Sequence, residues 1–282
     1  MTAATTVFQP GSTGAPAWDR PVFIVGGMNR SGTNFLADAL GCHRDVRRPA
    51  IGEDYLLEHA GRLTSYARDT AHRWGDHALA VEGRFLRGLG RELITALDEA
   101  GRDEPPPAGS RLVTKTPRAH GLDALHALLP TAKLILLVRD GRDVTESAAR
   151  SFPYAGRRYW AGQWREGARL IAEFSASRVA ARDRDWTLVR YEDLLAGGAD
   201  ALLDLVRFCD LDPAGFDRAA FDALPLRGSS SHRGGRTEVH WKPVEKPKDF
   251  KPVGRWQSWP WWWKAWFAQY AGAEMRGLGY EC

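Results

Sequence analysis

Between residues 22 and 34 the chain reads VFIVGGMNRSGTN, an apolar run that ends in a glycine-rich turn. Gly26, Gly27 and Gly32 allow a backbone to approach an anion closely. A helix opening at Thr33 and Asn34 would aim its first amides and its dipole at the same point. The chemistry this suits is the holding of a phosphate or a similar oxyanion. A triphosphate loop of the GxxxxGK[ST] kind has its glycines spaced as Gly27 and Gly32 are, but here Thr33 occupies the lysine's place. The cation, Arg30, has moved inside the loop.

Three further stretches carry groups that could act beside such a loop. VRDGRDVTESAARS (138–151) places Arg139 at the end of the run LILLV and Ser147 about two helical turns later, on the face that looks back towards it. VTKTPR (113–118) sets Lys115 near the end of another apolar run, and IGEDYLL (51–57) holds the adjacent acids Glu53 and Asp54. A carboxylate and an ammonium converging on one point could move a proton and relieve charge on a leaving oxygen. His120, three residues past Pro117, is a further candidate base and otherwise reads as a residue at the start of a helix.

The elements that must position these groups follow from the pattern. VFIVGG (22–27), RLVTK (111–115), KLILLVR (133–139) and WTLVRY (186–191) read as strands, and each precedes a helical pattern. Near-continuous apolar strands alternating with helices predict an α/β fold with a parallel sheet and helices on both faces. Helices are expected at about 32–41, 118–129, 141–151, 157–182 and 192–209. Residues 50–105, with helical spacing and many Arg and Glu, are expected to form a helical cap inserted over one end of the sheet. Residues 225–255 show no apolar periodicity and hold four of the seven lysines, which reads as a long loop. The first twenty residues, rich in Gly, Pro and Thr, read as a loose arm before a single domain spanning 21–282.

The loop GGMNRSGTN resembles the 5′-phosphosulfate loop of sulfotransferases that use 3′-phosphoadenosine 5′-phosphosulfate (PAPS). The closest likeness is to tyrosylprotein and related bacterial enzymes, whose loop reads near GxPRSGTT. The resemblance puts Arg30, Ser31, Gly32 and Thr33 in register, with Asn29 and Asn34 replacing a usual proline and a usual threonine; Asn34 can still donate a hydrogen bond. It implies that Arg139 and Ser147 hold the donor's 3′-phosphate, although the basic residue usual four after the serine is Ser151 here. VRYEDLL (189–195) is similar to a junction in which Tyr191 contacts the nucleotide. HWKPV (240–244) and the preceding SSSHRGG are similar to the segment that closes over the donor, which brings in Lys242 and Ser231. GRW and LGY (254–256, 278–280) also recur in the family. The resemblance implies a P-loop-like fold, Lys115 donating to the bridging oxygen and Glu53 as general base. Extra residues before the acidic pair keep Asp54 open in that role, and His120 follows. Arg30 is expected to share the catalytic charge relief with Lys115.

Composition narrows the remaining classes. With 282 residues, 44% hydrophobic, the chain can bury one substantial core, and its formal charge of +4 suits an anionic ligand without requiring one. No nucleic-acid partner is expected. No apolar run reaches the roughly 20 residues that span a bilayer, and no secretory leader pattern opens the chain. Cys42, Cys209 and Cys282 suggest neither a disulfide framework nor a metal site, so a cytoplasmic, metal-free enzyme is expected. WQSWPWWWKAWFAQY (256–270) holds six of the twelve tryptophans. It reads as a terminal helix whose surplus rings line a homodimer contact or an apolar acceptor pocket, or else as a membrane-surface anchor. The excess of arginine over lysine, 32 to 7, suggests a GC-rich bacterial source and favours a metabolite hydroxyl as acceptor over a peptide or carbohydrate. A nucleotide kinase is the rival enzyme class, weakened by the missing lysine and by having only Asp140 near a strand end as a magnesium ligand. A non-catalytic nucleotide-binding scaffold remains if Glu53 and Lys115 do not converge.

Overall fold

The computed structural model describes residues 16–104, 106–107, 109–177, 185–225, 229–233, 236–240 and 251–282. Five parallel strands form one sheet in the order β2-β3-β1-β4-β5. They are β1 (Val22–Gly26), β2 (Val46–Arg47), β3 (Arg111–Thr116), β4 (Lys133–Val138) and β5 (Trp186–Arg190). Alternation along the central strands sorts their side chains into two cores. Phe23, Val25, Leu134 and Leu136 face one side, and Val22, Ile24, Ile135 and Leu137 face the other; all are at most 1% exposed. Burial on both faces is why these strands read as continuous apolar runs.

On one face lie α1 (Thr33–Leu40) and α7 (Tyr191–Phe208), which bury Leu36, Leu40, Leu194, Leu202 and Val206 against Ile24 and Ile135. The opposite face is covered by α5 (Gly141–Ser151), α6 (Arg157–Ala176) and the C-terminal α9 (Trp261–Gly277). The expected helix at 118–129 is reduced to a 3₁₀ turn, Leu122–Ala124, and the single turn of α4 (Leu125–Leu128). Its leucines 122, 125 and 128 are all buried, so packing has overridden helical propensity there.

Two expectations about the insertion and the termini need correction. The insertion folds as α2 (Ala60–Ala71), a 3₁₀ segment and α3 (Ala78–Glu99). Its Leu57, Ala67, Leu86 and Ile94 share the core of Phe23 and Leu112, so it is built into one face of the sheet and is not only a cap over an end. A buried ion pair anchors it: Arg47 Nε on β2 lies 3.1 Å from Asp98 Oδ2 on α3, and Arg102 adds a second contact at 3.0 Å. Residues 16–20 also belong to the packed body and not to a loose arm. Ala17 is buried, and the Arg91 guanidinium lies 4.4 Å over the Trp18 ring.

Residues 225–255 are not loop throughout, because β6 (Ser229–Arg233) and β7 (Arg236–His240) pair as an antiparallel hairpin. Their sequences SSSHR and RTEVH lack the apolar alternation that would reveal a strand. The small α8 (Arg218–Asp222) precedes them. The tryptophan-rich end is a packed helix. Phe267, Ala271 and Met275 enter the core, Trp259 is buried, and only Trp261 and Trp262 remain exposed at 78% and 52%. No described helix is long and apolar enough to cross a membrane.

Where α6 crosses the turn after β1, the backbones touch. A Cβ placed on Gly167 would stand 1.6 Å from the carbonyl oxygen of Gly27. Gly167→Ala should therefore displace the turn or the helix at an overpacking cost of about 1–3 kcal/mol. The expected result is a drop in Tm of roughly 3–10 °C on thermal unfolding.

Candidate active site

All five strands run the same way, so the groups that follow β1, β3, β4 and β5 emerge on one edge of the sheet, where open α/β folds place their ligands. There a cleft of about 450 Å³ is lined by Asn29, Arg30, Gly32, Thr33, Asn34, Glu53, Arg139, Ser147 and Tyr191, among others. Eight of these, all but Asn29, are candidates read from the sequence. Gly32 adopts φ +103° as it caps α1, and no side chain caps that helix, so its first-turn amides are available to an anion at the mouth of the cleft. The Tyr191 ring lies 2.4 Å from where a Cβ on Gly32 would stand, so only glycine fits both the backbone angle and the contact.

Ser31 does not join the cleft. Its side chain is buried, and its hydroxyl donates to the Met28 carbonyl at 2.7 Å, so it braces the turn from within. Arg30 sits in a left-handed conformation at φ 78°. Non-glycine residues are held at such angles only by strong local constraint. The constraint is visible: Arg30 Nε donates to Ser147 Oγ at 3.1 Å, and Arg139 Nη1 donates to the Arg30 carbonyl at 2.8 Å.

The electrostatics of this end of the cleft are one-sided. Arg30, Arg139 and Arg255 all line it. Burial, and then the charges of Arg139 and Arg255, bring the Arg30 guanidinium down to about 10. Arg139 lies 4.8 Å over the Tyr191 ring, and its Nε is buried with no hydrogen-bond partner among the described residues. Asp140 does not neutralise it, because that carboxylate caps α5 and is gripped by Arg142 through Nε and Nη2 at 3.0 and 2.7 Å. A carboxylate so engaged is also poorly placed to hold magnesium. Crowded guanidinia with an orphaned N–H are the donor set of a multiply charged oxyanion.

Glu53, which also lines the cleft, stands beside Lys115. Lys115 Nζ is 3.3 Å from Glu53 Oε1, and the Tyr55 hydroxyl donates to Glu53 Oε2 at 2.5 Å. Burial lowers the Lys115 ammonium and Glu53 opposes that fall. Asp54 points away. It accepts from Thr114 Oγ1 at 2.7 Å and from the Leu56 amide at 2.9 Å, which makes it a structural acid, and burial raises its carboxyl. His120 is 3.4 Å from Glu166 and lines a separate cavity of about 130 Å³ behind Asn29 and Phe152. Phe152, Tyr154, Tyr159 and Trp160 form one part of its wall, and Arg118, Gln163 and Glu166 another.

Several lining residues carried no assignment in the sequence reading. Arg255 arrives from the end of the lysine-rich segment, and its only signal was the GRW triplet. Phe35 follows the glycine turn directly and meets Tyr191 edge-on at 5.8 Å and Phe221 at 6.3 Å. With Leu194, Leu195 and Leu224 they make an apolar wall suited to a flat ring. An aromatic two residues into α1 was the available clue. Ser231 lies on β6, and Lys242 lies outside the described residues.

The model of a family described as the sulfotransferase family matches residues 21–215. No curated protein matches the sequence. Among solved structures, the sulfotransferase domain from the curacin biosynthetic pathway is 18% identical and superposes with a TM-score of 0.52 over 95% of this chain and 99% of that one. The sulfotransferase domain of the Synechococcus PCC 7002 olefin synthase is 21% identical, with a TM-score of 0.46 over 76% and 82% of the two chains. A mouse sulfotransferase, SULT7A1, complexed with PAP, is 14% identical, with a TM-score of 0.49 over 94% and 86%.

Proposed function

The chain belongs to the sulfotransferase family, and on that premise we propose that it transfers a sulfuryl group from PAPS to the hydroxyl of a small-molecule acceptor. The observation that carries this reading is the gathering of Arg30, Arg139 and Arg255 in a cleft that Glu53, paired with Lys115, also lines. The residues fit the donor. The orphaned Arg139 Nε and Ser147 suit its 3′-phosphate, and Arg30, Thr33, Asn34 and the first amides of α1 suit the phosphosulfate. The wall of Phe35 and Phe221 suits its base.

When bound, PAPS supplies the sulfuryl group, which passes to the acceptor oxygen as the bond to the 5′-phosphate breaks. Glu53 takes the proton from the acceptor hydroxyl. Lys115, its ammonium lowered by burial, is the better proton donor for that fall and faces the charge developing on the leaving oxygen. Arg30 holds the equatorial charge, as cationic groups do in phosphoryl transfer. A compact aromatic cavity adjoining the cleft at Asn29 and Phe152 supports a small acceptor over a folded protein or a long glycan.

Two measurements test the reading. Titration calorimetry should show tight binding of 3′-phosphoadenosine 5′-phosphate (PAP) and no binding of ATP with magnesium; the reverse result would favour a kinase. A screen of phenols, sugars and tyrosine peptides with PAPS should then show the mass gain of one sulfuryl group on a small hydroxyl compound. Because the proposed charge relief comes from guanidinia and an ammonium, activity should survive EDTA. Loss of activity that magnesium restores would contradict the proposed charge relief.

A further inference from the structure

Tyr55 follows Glu53 by two residues and takes a left-handed backbone angle, φ 49°, that an aromatic residue adopts only under constraint. The constraint comes from its neighbours. The Asp54 amide donates to the Lys115 carbonyl at 3.0 Å, and the Asp54 carboxylate accepts from Thr114 and from the Leu56 amide, so the turn is pinned to the end of β3. The Tyr55 ring belongs to neither core and is 39% exposed, so core packing is not what places it. What the turn does is present a phenol. The Tyr55 hydroxyl donates to Glu53 Oε2 at 2.5 Å, while Lys115 Nζ faces Oε1 of the same carboxylate at 3.3 Å. In the transfer described above, an acceptor hydroxyl must bond to the base while the ammonium stands near the leaving oxygen. Tyr55 meets the first requirement with a group from the chain itself.

Resting on the sulfotransfer reading, we propose that Tyr55 is itself a sulfuryl acceptor, so that the protein, given PAPS and no other hydroxyl compound, sulfates its own Tyr55. Glu53 Oε2 takes the phenolic proton, a transfer that needs the base within hydrogen-bond reach, as it is here. An electron pair of the Tyr55 oxygen forms the new bond to sulfur. The bond from sulfur to the 5′-phosphate oxygen breaks, and its electron pair leaves on PAP. The products are PAP, a sulfate ester on Tyr55 and a protonated Glu53 that gives its proton to water. Placement selects this tyrosine, and exposure does not. Tyr66 on α2 and Tyr154 at the second cavity are more exposed, at 59% and 78%, so a reaction governed by exposure alone would reach them first.

The test incubates the whole protein with PAPS and no added acceptor, and locates any modification by electron-transfer mass spectrometry, which preserves sulfate esters. The mass should rise by one sulfuryl group, on Tyr55 and not on Tyr66 or Tyr154, at a rate per molecule that does not depend on protein concentration. Tyr55→Phe should abolish the gain and leave the Kd for PAP unchanged by calorimetry, which shows the donor site intact. Glu53→Gln should slow the gain by roughly 10²-fold or more. A second readout needs no donor. Burial, and then the bond to Glu53, raise the Tyr55 phenol above its ordinary range, so the NMR signal of its Cζ should titrate at a lower pH in Glu53→Gln than in the unsubstituted protein. Any of four results would overturn the inference and leave sulfotransfer standing: PAP binding with no sulfuryl group on Tyr55, a gain on the more exposed tyrosines instead, a rate that grows with protein concentration, or an unchanged Cζ titration. Failure of the unsubstituted protein to bind PAP would overturn both.

Discussion

Turnover by Glu53→Gln is expected to fall by roughly 10²–10⁴-fold, the usual weight of general-base catalysis. Glutamine keeps the size of the side chain, and its Oε1 can still accept from Lys115 while its amide nitrogen donates to the Tyr55 hydroxyl oxygen, but it cannot take a proton from the acceptor. Donor affinity should barely move, since the proposed donor contacts are Arg30, Arg139 and Arg255 and not Glu53. Steady-state kinetics at saturating PAPS and acceptor, together with the Kd for PAP, separate the two effects. Asp54→Asn is the control. Its carboxylate is occupied by Thr114 and the Leu56 amide, so substitution should lower thermal stability more than it lowers kcat. If Glu53→Gln retains near-normal turnover, the base lies elsewhere. His120, with Glu166 at its side, is then the next residue to replace.

Arg139→Ala should weaken PAP binding by about 10–150-fold, equivalent to about 1.5–3 kcal/mol for a lost charge-assisted contact. The substitution removes more than one bond. Arg139 also holds the Arg30 carbonyl and the Pro252 carbonyl, so the glycine turn and the segment at Pro252 both lose a fastening. Ligands carrying the 3′-phosphate should therefore lose the most, and ligands without it should lose a smaller share. Calorimetry with PAP and with adenosine 5′-monophosphate reads the difference. An unchanged Kd for PAP would remove Arg139 from the phosphate site.

The glycine turn, the four main strands and the motif after β4 were legible because each is a local pattern. Apolar runs such as LILLV must be buried on both faces, and parallel strands feeding helices then bring Arg30, Lys115, Arg139 and Tyr191 to one edge of the sheet. Glu53 was legible only as one member of a pair. Which of two adjacent acids faces the cleft depends on the local turn to the Leu56 amide and on Thr114, which meets Asp54 only through packing of the insertion against β3. The direction of the Ser31 hydroxyl was not legible for a related reason. A hydroxyl within a phosphate turn can face the ligand or bond back to the Met28 carbonyl, and residue type does not choose between them.

The sequence alone therefore sufficed for the class of fold, the oxyanion turn and the edge at which the chemistry is placed, because short-range periodicity and glycine spacing encode all three. The contents of the cleft were decided by contacts between segments far apart in the chain. Arg255 reaches the cleft on a segment whose Gly254 and Trp256 amides donate to Asp143, more than a hundred positions earlier, and Phe35 meets Phe221 across the cleft wall. Such pairings leave no periodic trace, since a hydrogen bond from a backbone amide demands nothing of the side chain that its residue carries.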